Sequence, residues 1–160
     1  MITIREAMDT DGHDVAALLG AVFSEYEGCL FAFHEMPELQ ALAATFRTQA
    51  GNFFVAERLL FGRPVVVGCV GFATHGSGLE LKKLYVAACE RKTGLGGRLL
   101  ELIESEALQK KASFIELWSD TRFVTAHRFY ERRGYRKGTD TRELHDVSRT
   151  SEYRFRKDLT

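Results

Sequence analysis

The segment Leu81-Lys82-Lys83-Leu84-Tyr85-Val86 and the basic, glycine-spaced run Arg91-Lys92-Thr93-Gly94-Leu95-Gly96-Gly97 behind it hold the most chemically specific pattern in the chain. A β-branched and aromatic stretch ends at Val86, and the turn after it opens into an amphipathic helix. The first N–H groups of a helix have no intrahelical acceptor, and the macrodipole favours an anion beside them. Gly94 and Gly96 have no Cβ, so a ligand can approach the backbone closely. Arg91 and Lys92 add positive charge. Residues of these types at this spacing make a site for a pyrophosphate.

The run is not a P-loop, which needs Gly-Lys followed by Ser or Thr, and Leu99 stands where a dinucleotide fingerprint needs its third glycine. It does fit R/Q-x-x-G-x-G/A, with Arg91, Gly94 and Gly96 in the defining places. Downstream, Ala126-His127-Arg128-Phe129-Tyr130-Glu131-Arg132-Arg133-Gly134-Tyr135 fits A-x-x-x-Y-x-x-x-G-[FY]. With a strand before the first motif and a helix after it, the chain resembles the GNAT superfamily of N-acetyltransferases. The motifs span residues 79–137.

That resemblance implies acetyl-CoA as co-substrate, no metal, and transfer of the acetyl group to a primary amine by direct attack in a ternary complex. Arg91, Lys92, Thr93, Gly94, Leu95, Gly96 and Gly97 would hold the pyrophosphate. The backbone around Leu84, Tyr85 and Val86 would meet the pantetheine arm and the acyl oxygen. Acetyl transfer needs an uncharged amine, a stabilised oxyanion and a protonated leaving thiolate. Tyr130 matches the family tyrosine that serves the thiolate, since a phenol keeps its proton at neutral pH. On spacing alone Tyr130 is a core aromatic, sharing a helix face with Phe123 and Ala126. Glu80 stands where relatives place a carboxylate base, with Glu116 a rival; its competing reading is an exposed strand residue beside Lys82. Where relatives carry an asparagine, this chain has Phe123, which reads as core, and Ser119 or Asp120 could take over the polar contact. Tyr26, Glu27, His34 and Glu35, between the first two helices, are candidates for greeting an amine on a small molecule or a peptide.

The elements that must position these residues are read from periodicity. Residues 2–7 alternate as a strand. Val15, Leu18, Leu19 and Val22 mark a helix capped by Asp9 or Thr10, and Pro37 starts a second one carrying Leu39, Leu42, Ala43 and Phe46 and closed by Gly51. Strands at 53–60 and 65–74 flank a turn at Gly62-Arg63-Pro64, and the strand 79–86 follows. Leu95, Leu99, Leu102, Ile103 and Leu108 stripe the helix behind the glycine turn, with Glu106 and Lys110 as an i,i+4 pair. A strand at 114–118 completes a right-handed parallel unit. A helix at 123–132 and a short closing pair at 135–136 and 150–156 follow. The fold class is α/β with a mixed sheet. The resemblance sharpens this to the GNAT fold, a mostly antiparallel sheet of about seven strands with helices on both faces and one parallel pair forming the acetyl-CoA cleft.

The 160 residues are expected to form one domain, and their 45% hydrophobic content supports a packed core. Twenty-two basic residues balance twenty-two acidic ones, without the electrostatic footprint of a nucleic-acid binder. Cys29, Cys69 and Cys89 are too few and too scattered for a disulfide frame or a zinc site. The longest apolar run is too short for a bilayer, so the chain reads as cytoplasmic with no membrane partner, and a homodimer is left open. The competing functional class is an acyl-CoA-binding sensor of the same fold.

Overall fold

Seven strands form one sheet in the order β1-β2-β3-β4-β5-β7-β6 in the computed structural model, which describes residues 1–160. The chain runs β1 (Ile2–Glu6), α1 (Gly12–Phe23), α2 (Leu42–Thr48), β2 (Asn52–Leu60), β3 (Arg63–His75), β4 (Gly78–Val86), α3 (Leu95–Gln109), β5 (Phe114–Asp120), α4 (Val124–Arg132), β6 (Arg136–Glu143) and β7 (Ser151–Asp158). Only β4 and β5 pair in parallel; every other neighbour is antiparallel. This is the mixed α/β sheet that the motifs implied.

Two apolar cores lie on the two faces of the sheet. On one, Leu95, Leu99, Leu100, Ile103 and Ala107 of α3 pack with Tyr130 of α4 against Val70, Leu81, Leu117 and Phe155. On the other, Val15, Leu19 and Val22 of α1 and Leu42 and Phe46 of α2 cover Phe53, Val55 and Cys69. β3 is buried from Val66 to Ala73 because both faces are covered.

Several local expectations change in the folded chain. Neither Asp9 nor Thr10 caps α1. Asp11 stands at its start, accepting the Met8 N–H at 2.6 Å, while Asp9 accepts the Ala44 N–H of α2 at 2.9 Å and so caps a helix distant in sequence. The helix expected from Pro37 breaks at Ala41 into a 3-10 turn (Pro37–Gln40) and α2. Ala50, not Gly51, takes the left-handed position after α2; Gly51 is needed because a Cβ there would lie 1.8 Å from the Phe72 carbonyl oxygen. Leu108 is exposed, its expected place on the buried stripe going to Leu100 and Ala107. Lys110 lies over the Phe72 ring rather than pairing with Glu106. The β2–β3 turn is Phe61-Gly62, both at positive φ as a two-residue hairpin requires. The closing strands are longer than expected, because β7 pairs with β5 along the whole of β5 and with β6 as far as Glu143↔Ser151.

Candidate active site

β4 carries the irregularity that opens the site. Its register against β3 slips between Cys69↔Tyr85 and Gly71↔Lys82, and Lys83 in the resulting bulge has φ 55°. The Cys69 thiol donates to the Lys83 carbonyl at 3.2 Å; burial pushes its pKa up to about 12, so it remains a thiol. A bulge bends and twists its strand. Accordingly β4 and β5 pair only at Leu79↔Ile115 and Glu80↔Glu116, then separate. The gap is a cleft of about 1120 Å³ whose lining includes Leu84, Tyr85 and Val86.

At the open end of β4 a 3-10 turn (Ala88–Glu90) leads to α3, held by the buried Glu90 carboxylate against the Arg58 guanidinium. Gly94 precedes α3 with φ 89°, a conformation that favours glycine. The first bond into the helix runs from the Arg98 N–H to the Gly94 carbonyl at 3.0 Å, and the N–H groups of residues 92–97 have no acceptor in the protein. A Cβ on Gly96 would meet Phe129 and Val86 only at an ordinary 3.8 Å, so packing does not demand glycine there. At Gly97 the Arg133 guanidinium lies 2.2 Å from where a Cβ would be, stacked 5.3 Å from the Phe129 ring centroid.

The expected pyrophosphate residues divide in the folded chain. Lys92, Gly94, Gly96 and Gly97 line the cleft. Thr93 and Leu95 do not line it: Leu95 is buried in the core, and Thr93 is exposed, with its hydroxyl donating to the Glu90 carbonyl at 2.6 Å. The Arg91 side chain also lines the cleft but is committed elsewhere. It donates to the Val86 carbonyl at 3.2 Å and holds both oxygens of Glu25, whose carboxyl it keeps below the usual range. Arg132 and Arg133 complete the cations at this end. Both stand at variable positions inside the tyrosine motif, two and three residues after Tyr130, where the pattern assigns them no role.

Tyr130 is 4% exposed, its ring packed 5.4 to 5.9 Å from those of Phe129, Phe155 and Tyr135. Its hydroxyl makes no hydrogen bond within the protein, the residue lines the cleft, and burial raises its pKa well above the ordinary phenol value. Tyr85 is similarly raised by burial, between Phe23 and Phe123. Glu80 lines the cleft on β4, 3.8 Å from Lys82. Its strand neighbour Glu116 is buried beside His75 and Arg154 and does not line the cleft.

The candidate acceptor residues are only partly brought together. Tyr26 lines the cleft, 4.7 Å from the Phe123 ring, and Glu35 lines it too. Glu27 and His34 are exposed and lie outside the lining, because the chain turns at Gly28 (φ 79°) and again at a 3-10 turn (Phe33–Glu35). Phe123 is buried against the rings of Phe23, Tyr26 and Tyr85, and its own side chain has no polar atom to offer. Ser119 and Asp120 line the cleft, and Asp120 accepts the Arg122 N–H at 2.9 Å. Trp118 and Glu152, not anticipated, line it as well; Arg142 stacks 4.3 Å from the Trp118 ring and donates to Glu152 at 2.8 Å.

Comparison with known proteins agrees with this architecture. An acetyltransferase of the GNAT family from Staphylococcus aureus Mu50 superposes with a TM-score of 0.84 at 18% identity, covering 100% of both chains. An acetyltransferase from Streptococcus agalactiae gives 0.77 at 20% identity over 96% of both. The PaiA N-acetyltransferase of Thermoplasma acidophilum, solved with coenzyme A, gives 0.76 at 16% identity over 99% of both. At these identities the likeness is one of fold. No curated protein matches the sequence. No helix is long and apolar enough to cross a membrane. The family model of the acetyltransferase (GNAT) domain matches residues 49–137, more than half of the chain and the part that holds the bulge, the glycine turn and Tyr130, and the chain therefore belongs to the GNAT acetyltransferases.

Proposed function

We propose that residues 1–160 form one catalytic domain that transfers an acetyl group from acetyl-CoA to a primary amine, by direct attack within a ternary complex. The observation that carries this reading is the row of N–H groups at residues 92–97 without acceptors, at the mouth of the β4–β5 cleft. The residues present fit a pyrophosphate. Its oxygens would accept from those N–H groups, Gly96 leaves the backbone uncovered, and Lys92, Arg132 and Arg133 supply charge. Bound there, acetyl-CoA supplies an activated acyl group and a sulfur leaving group.

The chain's own residues then have three tasks. The edge of β4 beyond Glu80 lacks a strand partner, and its backbone at Leu84 and Val86 offers donors and acceptors to the pantetheine arm and to an acyl oxygen. Arg91, on the Val86 carbonyl, shares that edge and braces it to the end of α1. Glu80 takes the amine proton, directly or through water. Tyr130 holds its proton on a hydroxyl with no competing partner, ready for the departing sulfur. Coenzyme A release measured over a panel of primary amines tests the reading. Release should require amine, with one acetyl group gained by each amine consumed. Binding of coenzyme A without turnover on any amine would favour the sensor instead.

A further inference from the structure

The acceptor half of the cleft is bridged. The segment between α1 and α2 is tied to β4 by Lys83, whose ammonium lies 2.8 Å from the Glu38 carboxylate and 3.6 Å from the Met36 sulfur. The connection between β6 and β7 is tied just beyond the end of β5, where Arg122 donates to the Ser148 carbonyl at 2.5 Å, and the Thr121 N–H fixes the start of β7 by donating to the Ser151 carbonyl at 2.9 Å. These two segments then meet. The Leu30 N–H donates to the Ser148 hydroxyl oxygen at 2.7 Å, that hydroxyl donates to the Leu30 carbonyl at 3.1 Å, and the Val147 N–H donates to the Glu35 carboxylate at 2.8 Å. Because one segment is anchored on β4 and the other just beyond the end of β5, their contact closes a ring across the gap where the acceptor must enter. Residues of both segments, Leu30 and Glu35 on one side and Asp146 and Ser148 on the other, line the cleft. Ser148 is 8% exposed and serves as both donor and acceptor to one backbone residue, which makes it the centre of the bridge.

We propose that this bridge restricts the acceptor to free small-molecule amines, excluding lysines on folded proteins, and that Ser148 sets the limit. The inference rests on the transferase reading and adds the acceptor class to it. A lysine on a folded surface brings bulky backbone to within one side chain's length of the reacting nitrogen, which a closed ring does not accommodate.

The test compares putrescine and phenethylamine with a short lysine peptide and with lysozyme as acceptors. The small amines should exceed lysozyme in kcat/KM by at least about a hundredfold. Ser148→Ala, and Glu35→Ala at the exposed end of the bridge, should shift the ratio several-fold towards the peptide without changing coenzyme A affinity. Equal use of lysozyme and small amines, or a ratio unmoved by both variants, overturns the proposal. A second measurement does not need turnover. Cys29 is buried in the cleft lining beside Asp120, Arg122 and Asp146, and directly precedes the bridge residue Leu30. In Cys89→Ser protein it should react with N-ethylmaleimide far faster than with a polyethylene-glycol maleimide, and Ser148→Ala should narrow that difference. Equal labelling rates in the unbridged and bridged forms overturn the bridge even if acetylation is seen. Size-selective labelling with no amine ever acetylated overturns the acceptor class and the transferase reading together.

Discussion

Tyr130 combines two roles that a phenol can hold at once, an apolar ring in the core and a polar tip in the cleft. Phenylalanine keeps the ring and removes the tip. Tyr130→Phe should therefore lower turnover by at least about tenfold where chemistry limits the rate, with melting temperature and coenzyme A affinity nearly unchanged. Burial raises the Tyr130 pKa, so the hydroxyl keeps its proton at higher pH than a free phenol. The deficit of the variant should accordingly stay constant from neutral to alkaline pH. Wild-type turnover in the variant would make Tyr130 a packing residue only. Glu80 is expected to behave differently. Glu80→Gln should lose most activity near neutral pH and regain part of it as rising pH supplies free amine. A profile unchanged in height and shape would leave Glu80 as the partner of Lys82.

At the scale of elements, the start of α3 and the bulge of β4 build the site between them. The helix start was legible because glycine, basic residues and an apolar stripe are local signals. The bulge was not, since no residue type in Leu81-Lys82-Lys83-Leu84 demands Lys83 at positive φ; the requirement comes from register against β3. The engagement of the Arg91 side chain with Glu25 is hidden from the sequence for the same reason. Sequence supplies the charge of Arg91 but not Glu25, which lies far away along the chain. Substitutions at Gly96 separate packing from binding. An alanine there fits at ordinary contact distance and should keep both fold and coenzyme A affinity. Gly96→Asp places its Cβ at the same contact distance and adds a negative charge where the proposed pyrophosphate would lie. Its coenzyme A affinity should fall by at least about tenfold, roughly 1.4 kcal/mol, with the circular dichroism intact. Calorimetry giving equal affinities for the aspartate variant and the wild type would move the pyrophosphate elsewhere.

At the scale of the whole molecule, the sheet edge far from the cleft is held by a charge cluster. Arg5 of β1 donates to both oxygens of Asp11 at 2.9 Å and to Glu57 of β2, joining the first strand pair to the entry of α1. The Arg5 guanidinium, helped by the Met8 N–H, holds the buried Asp11 carboxyl below the usual carboxylate range. A carboxylate whose pKa is lowered on folding stabilises the fold above its unfolded pKa. That stability is lost as pH falls through the lower, native value. Asp11→Asn should cost about 1–3 kcal/mol at neutral pH, and its deficit against wild type in urea unfolding should shrink as pH falls through the acid range. A deficit that persists undiminished in acid would locate the effect in shape rather than charge.

Local chemistry determined much of this protein by itself. The glycine turn, the tyrosine motif and the helix and strand periods depend on neighbours along the chain, and they sufficed for the family and for most elements. Tertiary structure alone decided which of those residues meet. The β4–β5 gap follows from a register slip against β3. The exclusion of Glu27 and His34 follows from the path of a loop, and the bridge at Ser148 joins segments more than a hundred residues apart. Such contacts depend on how the strands are ordered and how far they run in register, and a bond between distant residues leaves no periodic trace in the sequence of either.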